Sequence, residues 1–207
     1  MTGDGLSCEM GPVNEKRQLR TRLSDRVAAM EGESRIVHDA GIATQITHLP
    51  IWGQVSTILG YLAMDDEVDL QAVLAAGRRA GKRVGLPRVP AGGGEMSFHE
   101  VADLRSGLER HPRGFLMPAA TAPRIDAAPG TLILVPGRAF DRTGCRVGRG
   151  GGFYDRYLAS VGAGVHTVGV AYAEQLVPSV PRESWDVAVQ VVVTENETCF
   201  CHRPVEN

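Results

Sequence analysis

The sequence predicts an α/β fold: three layers, α/β/α, around a mostly parallel central sheet. Three observations carry that expectation. Apolar stretches of strand length alternate with amphipathic stretches of helical length along the chain. The run Leu132-Ile133-Leu134-Val135 is continuously apolar, the pattern of a strand covered on both faces. The 207 residues, 43% hydrophobic and 22% charged, suffice for a sizeable core without disulfides.

Each element has a local reason. Residues 1–14 hold Gly, Asp, Ser and Pro without periodicity and read as a flexible leader. Residues 15–207 read as a single α/β catalytic domain. A helix is expected over 15–30, where Leu19, Leu23, Val27 and Met30 form one apolar stripe and Lys16 and Arg20 share a neighbouring face. A second is expected over 34–49, with Ile36, Val37, Ala40, Ala43 and Ile46 inward and Pro50 ending it. Strand 55–62 follows, then helix 69–80 with Gly81 as its stop. Short strands are expected at 82–86 and 96–101. Residues 113–124, rich in Pro and Gly, read as loop. Strand 131–135, helix 153–161, strand 165–171 and strand 186–194 complete the order.

Composition excludes several classes. Net charge is −2 and no basic stripe stands out, so no nucleic-acid partner is expected. No apolar run is long enough for a membrane span, and no signal-peptide pattern opens the chain. Cys8, Cys145, Cys199 and Cys201 form no C-x-x-C pair and read as free thiols of a reducing, cytoplasmic compartment. Cys199-Phe200-Cys201-His202 lacks a fourth ligand and is set aside as a metal site. A monomer or weak homodimer is expected.

The densest chemistry lies between the strand at 131–135 and the helix at 153–161. Four of the five residues from Gly148 to Gly152 are glycine, flanked by Arg146 and Arg149 and followed by Asp155. Glycines let backbone N–H groups approach an anion, and the helix start adds its positive dipole end. The residues themselves indicate a phosphate site with a possible metal ligand beside it. The Walker pattern is absent, and the dinucleotide pattern fails because position 153 is Phe.

That segment resembles the nucleotide-binding motif of the 5-formyltetrahydrofolate cyclo-ligase family: Pro136-Gly137, Phe140-Asp141 and Arg146-Val147-Gly148-Arg149-Gly150-Gly151-Gly152-Phe153-Tyr154-Asp155. Val147 and Phe153 depart mildly from the family's Leu and Tyr. Lys16-Arg17-Gln18-Leu19-Arg20 is similar to its N-terminal Lys-Arg-x-Leu-Arg, and Tyr61-Leu62 through Glu67 to its folate-contacting turn. Pro87-Arg88, Met96-Ser97-Phe98, Ala173-Glu174-Gln175-Leu176, Trp185-Asp186 and Val193-Thr194-Glu195 extend the likeness. Met117 stands where many members have Glu.

The resemblance implies ATP- and Mg²⁺-dependent cyclisation of 5-formyltetrahydrofolate to 5,10-methenyltetrahydrofolate, with reduced folate and ATP as partners. It implies nucleotide binding by Lys16, Arg17, Gln18, Leu19 and Arg20, and by Arg146, Val147, Gly148 and Tyr154. Arg149, Gly150, Gly151, Gly152 and Phe153 would lie where the two substrates react. Leu62 and Glu67 would hold the pterin, and Asp155 and Asp186 the metal. Taken without the family, Lys16 and Arg20 are two solvated cations, Glu67 and Asp155 helix-start acids, and Asp186 a turn residue. Activation of another N-formyl compound, or folate or nucleotide binding without catalysis, stays open at this point.

Overall fold

In a computed structural model that describes residues 12–201, the chain wraps around one seven-stranded sheet. It begins with α1 (Pro12–Ala28), α2 (Gly32–Thr47), β1 (Thr57–Leu59), α3 (Gln71–Arg79) and β2 (Arg83–Arg88). Next come β3 (Ser97–Glu100), β4 (Leu108–Arg110), β5 (Leu116–Pro118), β6 (Thr131–Pro136), β7 (Ala139–Phe140) and β8 (Arg146–Val147). Then follow α4 (Phe153–Ser160), β9 (Val165–Val170), a 3₁₀ turn (Ala173–Gln175), β10 (Val191–Val193) and β11 (Thr198–Phe200).

The sheet order is β11-β10-β9-β6-β1-β2-β3. The five inner strands are parallel, and β3 and β11 close the edges antiparallel. Leu132, Ile133, Leu134 and Val135 of β6 are all fully buried. Each contributes roughly 1.5–3 kcal/mol of transfer free energy. Helices pack closely on the sheet: a Cβ on Gly77 of α3 would come within 2.4 Å of the Ile58 side chain.

Chain direction across the sheet reverses between β1 and β6. From β1 the path goes through α3 to β2 on one side, while β6, β9 and β10 extend the other. In open α/β sheets the crevice at such a reversal, beyond the carboxyl ends of the strands, is where ligands bind. Here Gly60 and Tyr61 leave the end of β1 while Gly137 and Arg138 leave β6.

Several expectations are corrected. Ile36, Val37 and Ala40 do not face inward: Ile36 and Val37 are 70% and 68% exposed and Ala40 is exposed too, while Ala43 and Ile46 are buried as expected, together with Ile42. Two adjacent apolar residues do not define a helical face, and the true contact lies nearer the C-terminal end. The strand expected over 55–62 stops at Leu59, freeing Tyr61 and Leu62 for the crevice. The one expected over 186–194 narrows to Val191–Val193, because the backbone at Val187 and Val189 bonds to Arg146, Asp155 and Gly144. The supposed loop 113–124 contains β5, which pairs with β4 in a small hairpin. Of the expected leader, residues 1–11 lie outside the described residues and 12–14 belong to α1. Proline suits a helix start because its missing N–H has no partner there anyway. Cys8 and His202 also lie outside the described residues. No helix among the described residues is long and apolar enough to cross a membrane.

Candidate active site

A cavity of about 350 Å³ opens at the sheet reversal. One wall is the turn after β1, with Tyr61, Leu62, Met64 and Glu67. The lining also includes the glycine loop and the start of α4, with Gly148, Arg149, Gly151, Gly152, Phe153, Tyr154 and Asp155. Arg138 and Arg146 also line it, together with the apolar residues Pro87, Val89, Met96 and Phe115.

The glycine loop is shaped by two positions. Gly150 and Gly152 have φ of 93° and 63°, left-handed values that side-chain-bearing residues rarely adopt. Gly152 is also the residue that caps α4, so the loop turns directly into a helix whose first N–H groups lack intrahelical acceptors. Gly150 does not line the cavity but lies next to the Arg20 guanidinium, 3.9 Å from where its Cβ would be. Arg20 Nε donates to the Gly148 carbonyl at 2.7 Å, tying α1 to the loop.

Arg149 links the glycine loop to the turn after β1. Its Nε donates to Glu67 Oε1 at 2.9 Å, and its guanidinium also pairs with Asp66. Glu67 Oε2 accepts the Met64 N–H at 3.0 Å, so the turn holds its own carboxylate in place. Arg35 from α2 donates to the Glu67 carbonyl at 3.3 Å. Arg138 pairs with the same Asp66 and donates to Ser24 of α1. Burial, then the charges of Arg149 and Arg20, lower its pKa to about 10. Arg138 and Asp66 are site residues that the sequence reading passed over. A signal existed: Arg138 follows Pro136-Gly137 at the carboxyl end of a central strand, where such sheets bind ligands.

Asp155 and Asp186 are both engaged. Asp155 Oδ1 accepts from Arg146 at 2.8 Å and from the Val187 N–H at 3.2 Å. Asp186 Oδ2 accepts from Lys16 Nζ at 2.5 Å and from the Glu183 N–H at 2.8 Å. Lys16, 5% exposed, also pairs with Glu183 at 2.8 Å. Its burial opposes the charge, but Asp186 and Glu183 outweigh it and raise the pKa. Burial lowers the Arg146 pKa, and Asp155 partly offsets this. Tyr61 and Tyr154 hydroxyls are buried without a hydrogen-bond partner among the described residues. Burial first, then the Glu67 charge, raises both phenol pKa values.

The structure thus brings together Leu62, Glu67, Arg146, Gly148, Arg149, Gly151, Gly152, Phe153, Tyr154 and Asp155 around one cavity, with Arg20 behind the loop. Lys16 and Asp186 stand outside the lining, joined to each other. Arg17 and Gln18 lie on an outer face of α1 beside Thr21, Arg22 and Asp25. Leu19 packs beside Leu23 and buried Val147, so those two side chains serve the core. Met117 is buried and does not line the cavity. Across the β4–β5 register it faces Glu109, and Arg88 pairs with that Glu109 at 2.6 Å.

Fold and site define an α/β protein with an arginine-rich cavity at the sheet reversal, set between a glycine loop and an acidic turn. The model of the 5-formyltetrahydrofolate cyclo-ligase family matches residues 12–195. A 5-formyltetrahydrofolate cyclo-ligase of Escherichia coli is 34% identical over 162 residues, covering 75% of this chain and 86% of that one. The mouse protein of the same name is 28% identical over 195 residues, covering 87% and 94%. The solved 5,10-methenyltetrahydrofolate synthetase of Aquifex aeolicus superposes with a TM-score of 0.78 at 30% identity, over 93% of this chain and 96% of that one. The chain belongs to the 5-formyltetrahydrofolate cyclo-ligase family and is an enzyme of the ligase class.

Proposed function

We propose that the protein couples ATP to the cyclisation of 5-formyltetrahydrofolate, yielding 5,10-methenyltetrahydrofolate, ADP and phosphate. The observation that carries this reading is Arg149, which bridges the glycine loop to Glu67 at 2.9 Å across one cavity. A phosphate-binding loop and a turn suited to a pterin therefore face each other with a cation between them. Family membership and the names of the similar proteins support the choice of substrate.

The chemistry accounts for the residue types. A formamide oxygen is a poor leaving group until it is phosphorylated. In the proposed sequence the formyl oxygen on N5 attacks the γ-phosphorus, and ADP leaves. N10 then adds to the activated formyl carbon, loses its proton to solvent, and expels phosphate as the methenyl bridge forms. Phosphoryl transfer needs positioning and charge neutralisation more than a protein nucleophile. Arg138, Arg146, Arg149 and the loop amides supply both, and Arg20 fixes the loop by its bond to Gly148. Arg17, Gln18 and Lys16 extend that side along α1. Glu67 accepts hydrogen bonds from the pterin, and Leu62 packs on its face.

Asp155 and Asp186 fit Mg²⁺ in a limited sense. Each gives one oxygen to protein donors, which leaves Asp155 Oδ2 and Asp186 Oδ1 for an ion. No group of three or more potential ligand side chains gathers among the described residues. The fit is to an ion that arrives with nucleotide phosphates, as Mg²⁺ commonly does. Bound there, it would neutralise charge on the transferring phosphoryl group.

The test is incubation with 5-formyltetrahydrofolate and MgATP, followed in the near ultraviolet where the conjugated methenyl product absorbs. Absorbance that rises only with both substrates supports the reading. ATP consumption without that rise contradicts it.

A further inference from the structure

Next to the acidic turn, α2 contributes polar groups that line no part of the cavity. Arg35 and Asp39 lie one turn apart on that helix, both half-buried. Asp39 Oδ1 accepts two hydrogen bonds, from the Tyr172 hydroxyl at 2.7 Å and from the Asp69 backbone N–H at 3.2 Å. Arg35 donates to the Glu67 carbonyl at 3.3 Å, and its guanidinium lies 5.8 Å from the centre of the Tyr172 ring. α2 therefore holds the segment that carries Asp66 and Glu67 at two backbone points, one on each side of Val68.

Tyr172 carries the connection onward. It follows the carboxyl end of β9 and is fully buried. Its backbone N–H donates to Gln175 Oε1 at 2.9 Å. Gln175, 1% exposed, gives its own amide N–H groups to the Gly137 and Arg138 carbonyls at 3.3 and 3.4 Å. A continuous polar chain thus runs from the backbone after β6, through Gln175, Tyr172 and Asp39, to Asp69 beside the acidic turn. Arg35, Asp39, Tyr172 and Gln175 stand outside the lining. The two ends of the chain are the segments that the site needs in register. Arg138 pairs with Asp66, and Arg149 pairs with Asp66 and Glu67. A bonded network among segments remote in sequence fixes their relative placement, because breaking any member leaves a buried polar group unpaired.

We propose that Asp39, acting through the Asp69 N–H and Tyr172, is a positioning residue: it sets the Asp66–Glu67 turn against the end of β6, so that Glu67 meets the pterin already in place. The assignment rests on the folate reading of the preceding section and concerns residues that touch no substrate. Positioning lowers the ordering cost of binding. A brace that served stability alone would lower the melting temperature and leave the binding of substrates by the folded protein untouched.

Three variants separate these roles. Asp39→Ala removes both bonds. Tyr172→Phe removes the hydroxyl and keeps the buried ring. Asp39→Asn keeps an acceptor oxygen for both donors. Well below the melting transition, Asp39→Ala is expected to raise the folate KM about tenfold and Tyr172→Phe about threefold, with kcat and the ATP KM within about twofold of wild type. Asp39→Asn should return the folate KM to within about twofold of wild type. Amide hydrogen exchange over residues 64–70 should quicken about tenfold in Asp39→Ala and stay at the wild-type rate in Asp39→Asn. Equal rises in the two KM values, an Asp39→Asn variant as impaired as Asp39→Ala, or unchanged exchange over 64–70 in Asp39→Ala overturns the proposal. Exchange and calorimetric folate binding need no turnover, which separates the two readings. Folate binding without methenyl formation in the wild type contradicts the proposed activity, and weaker binding in Asp39→Ala then still supports the brace. Methenyl formation in the wild type with undiminished folate binding in Asp39→Ala does the reverse, and no folate binding by the wild type contradicts both.

Discussion

The two sides of the cavity are built on opposite principles. On the glycine-loop side the arginines of the lining are paired: Arg138 and Arg149 share Asp66, and Arg146 holds Asp155, while outside the lining Lys16 holds Asp186 and Glu183. On the hairpin side the lining is apolar, Arg113 is without an ion pair among the described residues, and His111 Nε2 lacks an acceptor. Paired charges in a partly buried site stay in place before any ligand arrives, which is what electrostatic stabilisation of a transferring phosphoryl group requires. An apolar wall with a few unspent polar groups is what recognition of an organic ligand requires. Under the proposed function, one side is preorganised for chemistry and the other for affinity.

That contrast predicts where substitutions act. The largest effect is expected for Arg149→Ala, which removes the cation between loop and turn. In steady-state assays kcat should fall at least ~1000-fold while the circular dichroism spectrum is unchanged. A wild-type kcat would break the contrast at its centre. Arg138→Ala should cost about 100-fold in kcat/KM, because a second cation of the lining is lost and Asp66 keeps only Arg149. An effect below threefold would remove Arg138 from the reacting side.

Lys16→Met should be read first as stability. It strands the Asp186 and Glu183 carboxylates, and denaturant unfolding should report a loss of roughly 3 kcal/mol. The folded Lys16 pKa lies above its ordinary value of 10.5, so the wild-type contribution is complete below pH 10.5 and is lost as pH rises past the folded value. The difference between the two proteins should accordingly be flat through neutral pH and shrink only in strong alkali. A difference that closes near pH 7 would mean that the pairing is not its source.

On the hairpin side, Phe115→Ala should raise the folate KM about tenfold, in line with an aromatic ring removed from a ligand wall, and leave kcat within about twofold. An equal loss in kcat would erase the distinction between the sides. The smallest effect belongs to Met117→Leu, a volume-conserving change outside the lining, with KM expected within about twofold of wild type. A tenfold KM change there would restore position 117 to substrate recognition.

How much of this was legible in the sequence differs by level. The run Leu132 to Val135 was readable as a central strand because burial on both faces needs no alternation. The glycine loop was readable because its composition has few structural uses. The orientation of α2 was not: Ile36 and Val37 are apolar and point to water, and no period in the chain reveals which face a sheet will cover. β4, β7 and β11 were missed because two or three residues carry no period at all. Around the site, Arg149 was indicated by its place in the glycine loop, and Leu62 and Glu67 by resemblance to a family, and the structure sets them around one cavity. Arg138, Asp66 and His111 were not, since their roles depend on neighbours far along the chain: Ser24 for Arg138, Arg149 for Asp66, and the cavity wall itself for His111. Lys16 and Asp186 illustrate the same limit from the other side. Each was read as a ligand to something outside the protein, and in the fold they bind each other.

The central claim is that the formyl oxygen takes the γ-phosphoryl group before the ring closes. It is tested most directly with 5-formyltetrahydrofolate carrying ¹⁸O in the formyl group, turned over with MgATP, and the released phosphate analysed by ³¹P NMR or mass spectrometry. The account predicts one ¹⁸O in each phosphate, formed in step with one methenyl product. Unlabelled phosphate, with the methenyl product still appearing, would contradict it.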